Sequence, residues 1–152
     1  MVKRLCIIPC GKKKIWDDDP EAGIMKAKHV YRSALHRKCQ AYARMFFDHW
    51  AILSAKYGLL LPDDIVPGNY DVSFGTNHSD LISFQALQRQ VKEKGLLQVE
   101  QVVMLGGKKF TNVVPHIFDS NKVNINYPLS DCKGIGYMLQ KLDYALKHRV
   151  EM

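Results

Sequence analysis

The composition of this 152-residue chain excludes several classes of protein. Hydrophobic residues make up 47% of it, which argues against intrinsic disorder. Its length is enough to bury a core without stabilisation by disulfides or metal ions. We therefore expect a single domain over residues 1–152. The net charge of +7 and the pI near 9.2 favour polyanions such as nucleic acid as partners.

The cysteine spacing and the length of the apolar runs argue against zinc-binding, secreted and membrane-spanning proteins. Cys6, Cys10, Cys39 and Cys132 form no CxxC pair and no Cys/His pattern typical of zinc. No secretory segment opens the chain, and no apolar run approaches the roughly 20 residues that cross a bilayer. We expect a cytoplasmic protein with reduced thiols and with no metal, cofactor or membrane partner. The sequence carries no signal for its oligomeric state.

Periodicity and chain breakers predict an α/β protein with about four strands in a mostly parallel sheet flanked by helices. The order β-α-β-loop-α-β-α-β-α implies right-handed crossovers. The predicted strands cover residues 5–8, 50–54, 101–105 and 123–127, and a long irregular stretch through Pro62 and Gly75 follows the second of them. The predicted helices lie within 30–46 and over 80–94, 110–118 and 136–148. Asn77 or Ser79 would cap the helix over 80–94 and Gly95 would end it, and Pro115 limits the short helix over 110–118.

Three of the predicted strands end in a short loop of small residues and lysines, at 9–14, 54–58 and 106–109. Because parallel strands end at the same edge of a sheet, we expect these loops to line one cleft. Lysine ammonium groups and free backbone N–H groups suit an anion such as a phosphate. The sequence therefore predicts a basic cleft at the strand carboxyl ends. Its charge would come from Lys12, Lys14, Lys56 and Lys108, and close backbone approach from Gly11, Gly58, Gly106 and Gly107.

The second loop and the segment after it carry the most varied chemistry. Ser54 and Lys56 can hold a phosphate, and Tyr57 or Tyr70 can stack on a base. Asp71 can accept a hydrogen bond from a sugar hydroxyl or act as a general base. The structural alternatives are that Ser54 caps a turn, Tyr70 fills the core and Asp71 binds backbone N–H groups.

The first and third loops, each taken alone, are weaker evidence for a ligand-binding site. Cys10 is either a nucleophile activated by the neighbouring lysines or a small packing residue. Tyr31 and Ser33 fall near one side of the first helix, where they can face the first loop. The turn at 106–109 resembles a phosphate-binding turn but lacks the full dinucleotide-binding fingerprint.

Several of these segments together resemble known families. They are Ile8-Pro9-Cys10-Gly11-Lys12-Lys13-Lys14, Tyr31-x-Ser33, Leu53-Ser54-Ala55-Lys56-Tyr57-Gly58-Leu59, Tyr70-Asp71 and Gly134-x-Gly136. The set looks like a bacterial and phage domain family, is similar to YaaA-type peroxide-stress proteins, and more distantly resembles the accessory domain of archaeosine synthase. The resemblance implies an α/β fold with a basic cleft and a connection to DNA, RNA or their nucleotides.

These observations predict a protein that binds a nucleotide or a nucleic-acid phosphate. They leave open whether it is an enzyme, in which case attack at a glycosidic or phosphoryl bond is the natural reaction class. The alternative is a non-catalytic DNA- or RNA-binding or adaptor protein of a stress-response or phage-related pathway. The catalytic candidates are Asp71, Ser54 and Cys10, and the expected ligand-binding residues are Gly11, Lys12, Lys14, Tyr31, Ser33, Lys56, Tyr57, Gly58, Tyr70, Gly106, Gly107 and Lys108.

Overall fold

The computed structural model describes residues 2–152 and has a five-stranded sheet flanked by helices. Its elements in chain order are β1 (Arg4–Pro9), α1 (Ile15–Asp18), β2 (Met25–Lys26), α2 (Ala27–Val30), α3 (Ala34–Phe46), β3 (Trp50–Ser54), β4 (Gly58–Leu60), β5 (Ile65–Val66), α4 (Phe84–Glu93), β6 (Gln101–Met104), β7 (Asn124–Asn126) and α5 (Ile135–His148). The prediction of a mostly parallel α/β sheet is confirmed.

The strand order is β4-β3-β1-β6-β7, and all neighbours are parallel except β3 and β4. The chain therefore crosses from β1 to β3 in one direction and returns past β1 to β6 in the other. Right-handed crossovers then place α3 and α4 on opposite faces of the sheet. The loops that follow β1 and β6 leave in opposite directions, which opens a crevice at the carboxyl ends of these two strands.

The core lies on both faces of the central strands. Leu5, Ile7, Ile8, Ile52 and Leu53 are fully buried, as the continuous apolar runs of parallel strands require. Helix α3 packs on β1 and on α5, and α4 packs on β4. This packing holds the strand ends in fixed positions, so the loops that leave them start from a rigid edge.

The region after β3 is more regular than the sequence predicts. The predicted irregular stretch contains β4, and β5 pairs with β2 in a separate two-stranded ribbon. The cause of the first difference is Gly58, whose φ of +78° lets the chain reverse and lay Leu59 beside Leu53. The side chain of Gln90 fixes this turn, because its amide donates to the Tyr57 carbonyl and accepts from the Leu59 N–H.

Two predicted helices also differ from the structure. Helix α4 begins at Phe84, since the Ser83 hydroxyl rather than Asn77 or Ser79 accepts the capping N–H. The predicted helix over 110–118 is instead two 3₁₀ turns, Lys108–Asn112 and Val114–His116, around Pro115. The other predicted strands and helices are confirmed within a few residues at each end. Within residues 2–152, none of the helices combines the length and the apolarity that crossing a membrane requires.

Candidate functional site

A cavity of about 460 Å³ opens at the carboxyl ends of β1 and β6, in the crevice that the strand order creates. Its floor and rim come from the loops after these two strands. Helices α3 and α5 close the sides, and the segment 71–74 forms a wall. The lining consists of residues 9–12, 71–74 and 106–110 together with Lys14, Ser33, Leu35, His36, Ala55, Ile135 and Met138.

The charged groups of the cavity are mostly positive. Lys12, Lys14, Lys108 and Lys109 line it, whereas Asp71 is the carboxylate among the lining residues. Within residues 2–152, none of these four lysines forms an ion pair with a carboxylate. Of the more distant carboxylates, Asp17 and Asp71 lie near enough to favour the charged form of Lys14.

Lys14 is the most buried of these cations, with only 3% of the residue exposed. Its Nζ donates to the Lys12 carbonyl oxygen at 2.9 Å and lies 4.4 Å from the centre of the Tyr70 ring. Burial lowers the pKa of Lys14, and the nearby Cys10, Asp17 and Asp71 oppose this shift only in part. The ammonium group keeps two further N–H bonds for a partner.

Part of the cavity lining is apolar, and Lys109 lies beside it, with its Nζ 5.3 Å from the centre of the Phe110 ring. Phe74 and Phe110 meet edge to face with ring centres 6.1 Å apart, and Met138 of α5 lies beside the Gly107 backbone. A Cβ at Gly106 would lie 2.5 Å from the Phe110 ring, so this glycine lets the ring pack directly against the backbone. The lining thus contains both lysine and aromatic side chains.

A chain of buried hydroxyl groups lies under the cavity floor. Ser54 Oγ accepts from the N–H groups of Lys56 and Tyr57, at 3.3 and 3.1 Å. Because both lone pairs are then used, the Ser54 hydroxyl donates to the Tyr70 hydroxyl, at 2.7 Å. Tyr70 is in turn hydrogen-bonded to the Tyr31 hydroxyl. Ser54 therefore orients Tyr70 rather than offering a free nucleophile.

Burial is the main cause that raises the pKa of both Tyr31 and Tyr70, so both hydroxyl groups stay protonated. The nearby Cys10 raises the pKa of the Tyr70 phenol further. Cys10 also lines the cavity, so it connects the buried hydroxyl groups of Tyr70, Tyr31 and Ser54 with the cavity. The Tyr70 hydroxyl can donate a hydrogen bond to a negatively charged atom at this position, either the sulfur or an atom of a ligand.

His36 lines the cavity but is held in one neutral form. Its Nδ1 donates to the Pro9 carbonyl oxygen at 2.8 Å. The side-chain amide of Gln40 donates to Nε2 of His36 and to the Lys28 carbonyl. Burial lowers the pKa of His36 to about 4. The imidazole therefore ties α3 to the end of β1 and adds no charge to the cavity near neutral pH.

The structure separates the sequence-predicted residues into three groups. It brings to the cavity Cys10, Gly11, Lys12, Lys14, Ser33, Asp71, Gly106, Gly107 and Lys108. It places Tyr31, Ser54 and Tyr70 beneath the floor as the buried hydroxyl chain. It does not bring Lys56, Tyr57 or Gly58 to the lining, because the 54–58 loop turns back into β4 and contributes Ala55 alone.

Sequence reasoning missed the apolar part of the lining and Lys109. Phe74, Phe110 and Met138 come from three distant segments, and each carries only the signal of an ordinary core residue. Lys109 directly follows a predicted lysine, and the run of lysines after the two glycines could have found it.

Comparison with known proteins identifies the family. Residues 5–144 match a model described as a family of unknown function, DUF6884. The chain is similar to the Bacillus subtilis (strain 168) protein named "Uncharacterized protein YfjM", with 52% identity over 151 residues, which cover 99% of this chain and 100% of that protein. Neither match bears on the likeness to YaaA-type proteins or archaeosine synthase, which stays a prediction. Both matches span nearly the whole chain, so this protein belongs to the DUF6884 family.

Proposed function

We propose that this protein binds a nucleotide, or a terminal nucleotide of a nucleic acid, in the cavity between the β1 and β6 loops. The observation that carries the proposal is Lys14, a buried cation of the cavity lining. Within the described chain it forms no ion pair with a carboxylate, and the more distant charges of Asp17 and Asp71 only partly offset the cost of its burial. A buried charge is costly unless it is paired. A ligand with a phosphate supplies the missing anion.

The rest of the lining supports a phosphate with an attached ring system. Lys12 and Lys108 line the cavity together with Lys14, and the backbone of Gly11 allows close approach to an anion. The Phe74 and Phe110 side of the cavity can hold a nucleobase by apolar contact. A volume of about 460 Å³ is within the range typical of small-molecule sites.

Catalysis at a glycosidic or phosphoryl bond is the second part of the proposal, in line with the YaaA-like resemblance of the loops. Asp71 is the carboxylate of the lining and is exposed to the cavity, where it can orient or deprotonate a water molecule. Cys10, at the end of the hydroxyl chain, can receive a hydrogen bond from Tyr70 when charge develops there. In the non-catalytic alternative, a DNA- or RNA-binding protein, the same lysines bind phosphate without turnover.

Isothermal titration calorimetry with mononucleotides, nucleosides and inorganic phosphate tests the proposal. We expect a nucleotide to bind more tightly than the matching nucleoside, because only the nucleotide pairs with Lys14. The variant Lys14→Met should lose this preference for the phosphate. Lys92→Met removes the same charge at an exposed site on α4 and should keep it. Equal loss in both variants would show that net charge alone attracts the ligand, and absence of nucleotide binding in the wild type would refute the proposal.

Mass spectrometry then separates enzyme from binder. The wild-type protein is incubated with nucleosides, nucleotides, single-stranded and duplex DNA and tRNA, and released base or phosphate is sought. Product from any of them supports catalysis. Binding without any product supports the non-catalytic alternative.

A further inference from the structure

The outer face of α5 carries aromatic and basic side chains in alternation. Tyr137, Lys141, Tyr144 and His148 are spaced at i, i+4, i+7 and i+11, so they form one stripe along the helix. We call these four residues the α5 stripe. All four are exposed, and the two tyrosines expose 60% and 64% of their surface.

The two tyrosine rings of the stripe do not belong to the buried core, whereas Lys141 is tied to the domain because its Nζ donates to the Pro128 carbonyl oxygen at 2.6 Å. The buried side of α5 is formed by Met138, Leu142 and Ala145, which is the face that the core requires. The Tyr144 and His148 rings lie against each other with centres 4.2 Å apart, which supports Tyr144 from one side and leaves its other face open. Two open phenol rings on one stripe form a surface on which flat groups can stack.

The charge around the stripe is positive. Lys133, Lys147 and Arg149 are exposed next to it, in addition to Lys141. Of the nearby acids, Asp143 is paired with Lys38 of α3, and Asp131 lies 4.0 Å from the Lys141 ammonium group. The surplus of cations favours an anionic partner over a basic or a neutral apolar one, and the open tyrosine rings favour an anion that also carries flat bases, as nucleic acid does.

The stripe also begins at the cavity. Ile135 and Met138, which flank Tyr137 in the first turn of α5, both line it. Tyr137 and Tyr144 are seven residues apart, which corresponds to about 10.5 Å along the helix axis. Nucleotides in a strand are spaced by about 3.4 Å when stacked, so the two rings span about three steps.

We propose that the α5 stripe binds single-stranded nucleic acid, with bases stacked on Tyr137 and Tyr144 and the backbone near the lysines. This proposal rests on the nucleotide site proposed above, because the strand would continue from the nucleotide held in the cavity. It names the substrate class as a single-stranded polymer rather than a free nucleotide. Aromatic platforms flanked by cations bind single strands with little sequence preference.

A duplex does not satisfy this geometry. The faces of its bases are already covered by stacking on one another, so the two open tyrosine rings would find no base face to stack on. The stripe therefore predicts a preference for single strands that charge alone does not give.

Fluorescence anisotropy with labelled oligothymidylate and oligouridylate of about 12 nucleotides, and with a duplex of the same length, tests the stripe. We expect Tyr137→Ala and Tyr144→Ala each to weaken single-strand binding by about 5- to 150-fold, the range reported for loss of one stacked base. Tyr137→Phe and Tyr144→Phe keep the rings and should retain wild-type affinity. Phe84→Ala removes an exposed aromatic side chain of α4 and should also leave binding unchanged. Comparison of the two oligomers decides between DNA and RNA.

Several outcomes would overturn the proposal. One is that the Tyr137→Ala/Tyr144→Ala double variant binds the single strand as tightly as the wild type does. Another is that the wild type binds duplex and single strand with equal affinity. A third is that the double variant changes only self-association, which would assign the stripe to a contact between two copies of the protein. Titration of thymidine 5′-monophosphate keeps the two proposals apart. If the double variant still binds the mononucleotide as the wild type does but loses the oligomer, both proposals stand. If the wild type binds the oligomer through the stripe but no mononucleotide, only the cavity proposal fails.

Discussion

Replacing Lys14 with methionine should make the protein more stable and a weaker binder at once. Methionine fills a similar volume, keeps contact with the Tyr70 ring and removes a charge from a site that is 3% exposed. The change loses the hydrogen bond to the Lys12 carbonyl, worth about 1 kcal/mol. Replacing a buried ion pair with apolar groups of similar volume can stabilise a protein by about 1–4 kcal/mol. If the same range holds for this buried cation, the lost bond leaves an expected net gain of about 0–3 kcal/mol.

A gain of 1 kcal/mol raises the Tm of a domain of this size by about 2–4 °C, which differential scanning calorimetry without ligand can resolve. The affinity for a nucleotide should fall by about 10- to 150-fold, because a hydrogen bond to a charged group contributes about 1.5–3 kcal/mol. A lower Tm together with unchanged affinity would refute the reasoning. In that case Lys14 would only hold the loop through its bond to Lys12.

The pH dependence of stability gives a second readout of the same residue. The pKa of Lys14 is lowered in the folded protein, so the unfolded chain binds more protons between the folded pKa and the ordinary value of 10.5. The free energy of unfolding therefore receives a contribution from Lys14 that rises with pH through this interval. Below it, the destabilising effect of the buried ammonium group is fully present. The difference in Tm between Lys14→Met and the wild type should shrink as the pH is raised toward 10.5.

Three further substitutions test the parts of the site. Tyr70→Phe leaves the Ser54 hydroxyl without its acceptor and should lower the free energy of unfolding by about 1–3 kcal/mol, measured by urea denaturation; no change would show that water replaces the phenol. Asp71→Asn should keep nucleotide affinity within a few-fold but lower any turnover by about 10²-fold or more, and undiminished product formation would exclude Asp71 as the base. Gly58→Ala should destabilise the fold by about 1–3 kcal/mol because of the φ of +78° and a collision with Gln90, and full stability in thermal melts would contradict the role of this turn.

The sequence predicts the sheet edge well and the lining less well, for physical reasons. The apolar runs that end at Pro9, Ser54 and Met104 identify parallel strands directly, and their common edge follows from connectivity. Whether a lysine points into a cavity depends on packing that a local segment does not encode. Lys14 and Lys56 both follow a strand end, yet only Lys14 lines the cavity.

Lys56 does not line the cavity because long-range contacts turn its segment away. The segment that carries Lys56 turns back at Gly58 because Gln90, far along the chain, binds both sides of the turn. The apolar part of the lining has the same origin, since Phe74 and Phe110 meet only after the strands are in order. Such contacts are set by the tertiary structure, which a pattern of residue types along one segment does not contain.

The wall of the cavity at 71–74 is built differently from its floor. Within the described chain, the backbone of residues 71–77 makes no hydrogen bond to another backbone segment, whereas the floor belongs to the central strands. Only the buried side chains of Val72 and Phe74 attach this wall to the domain. This wall of the cavity can therefore be changed by substitutions in a few adjacent codons while the sheet is left untouched. In this architecture, one wall of the cavity and the sheet that supports its floor are encoded in separate stretches of the gene.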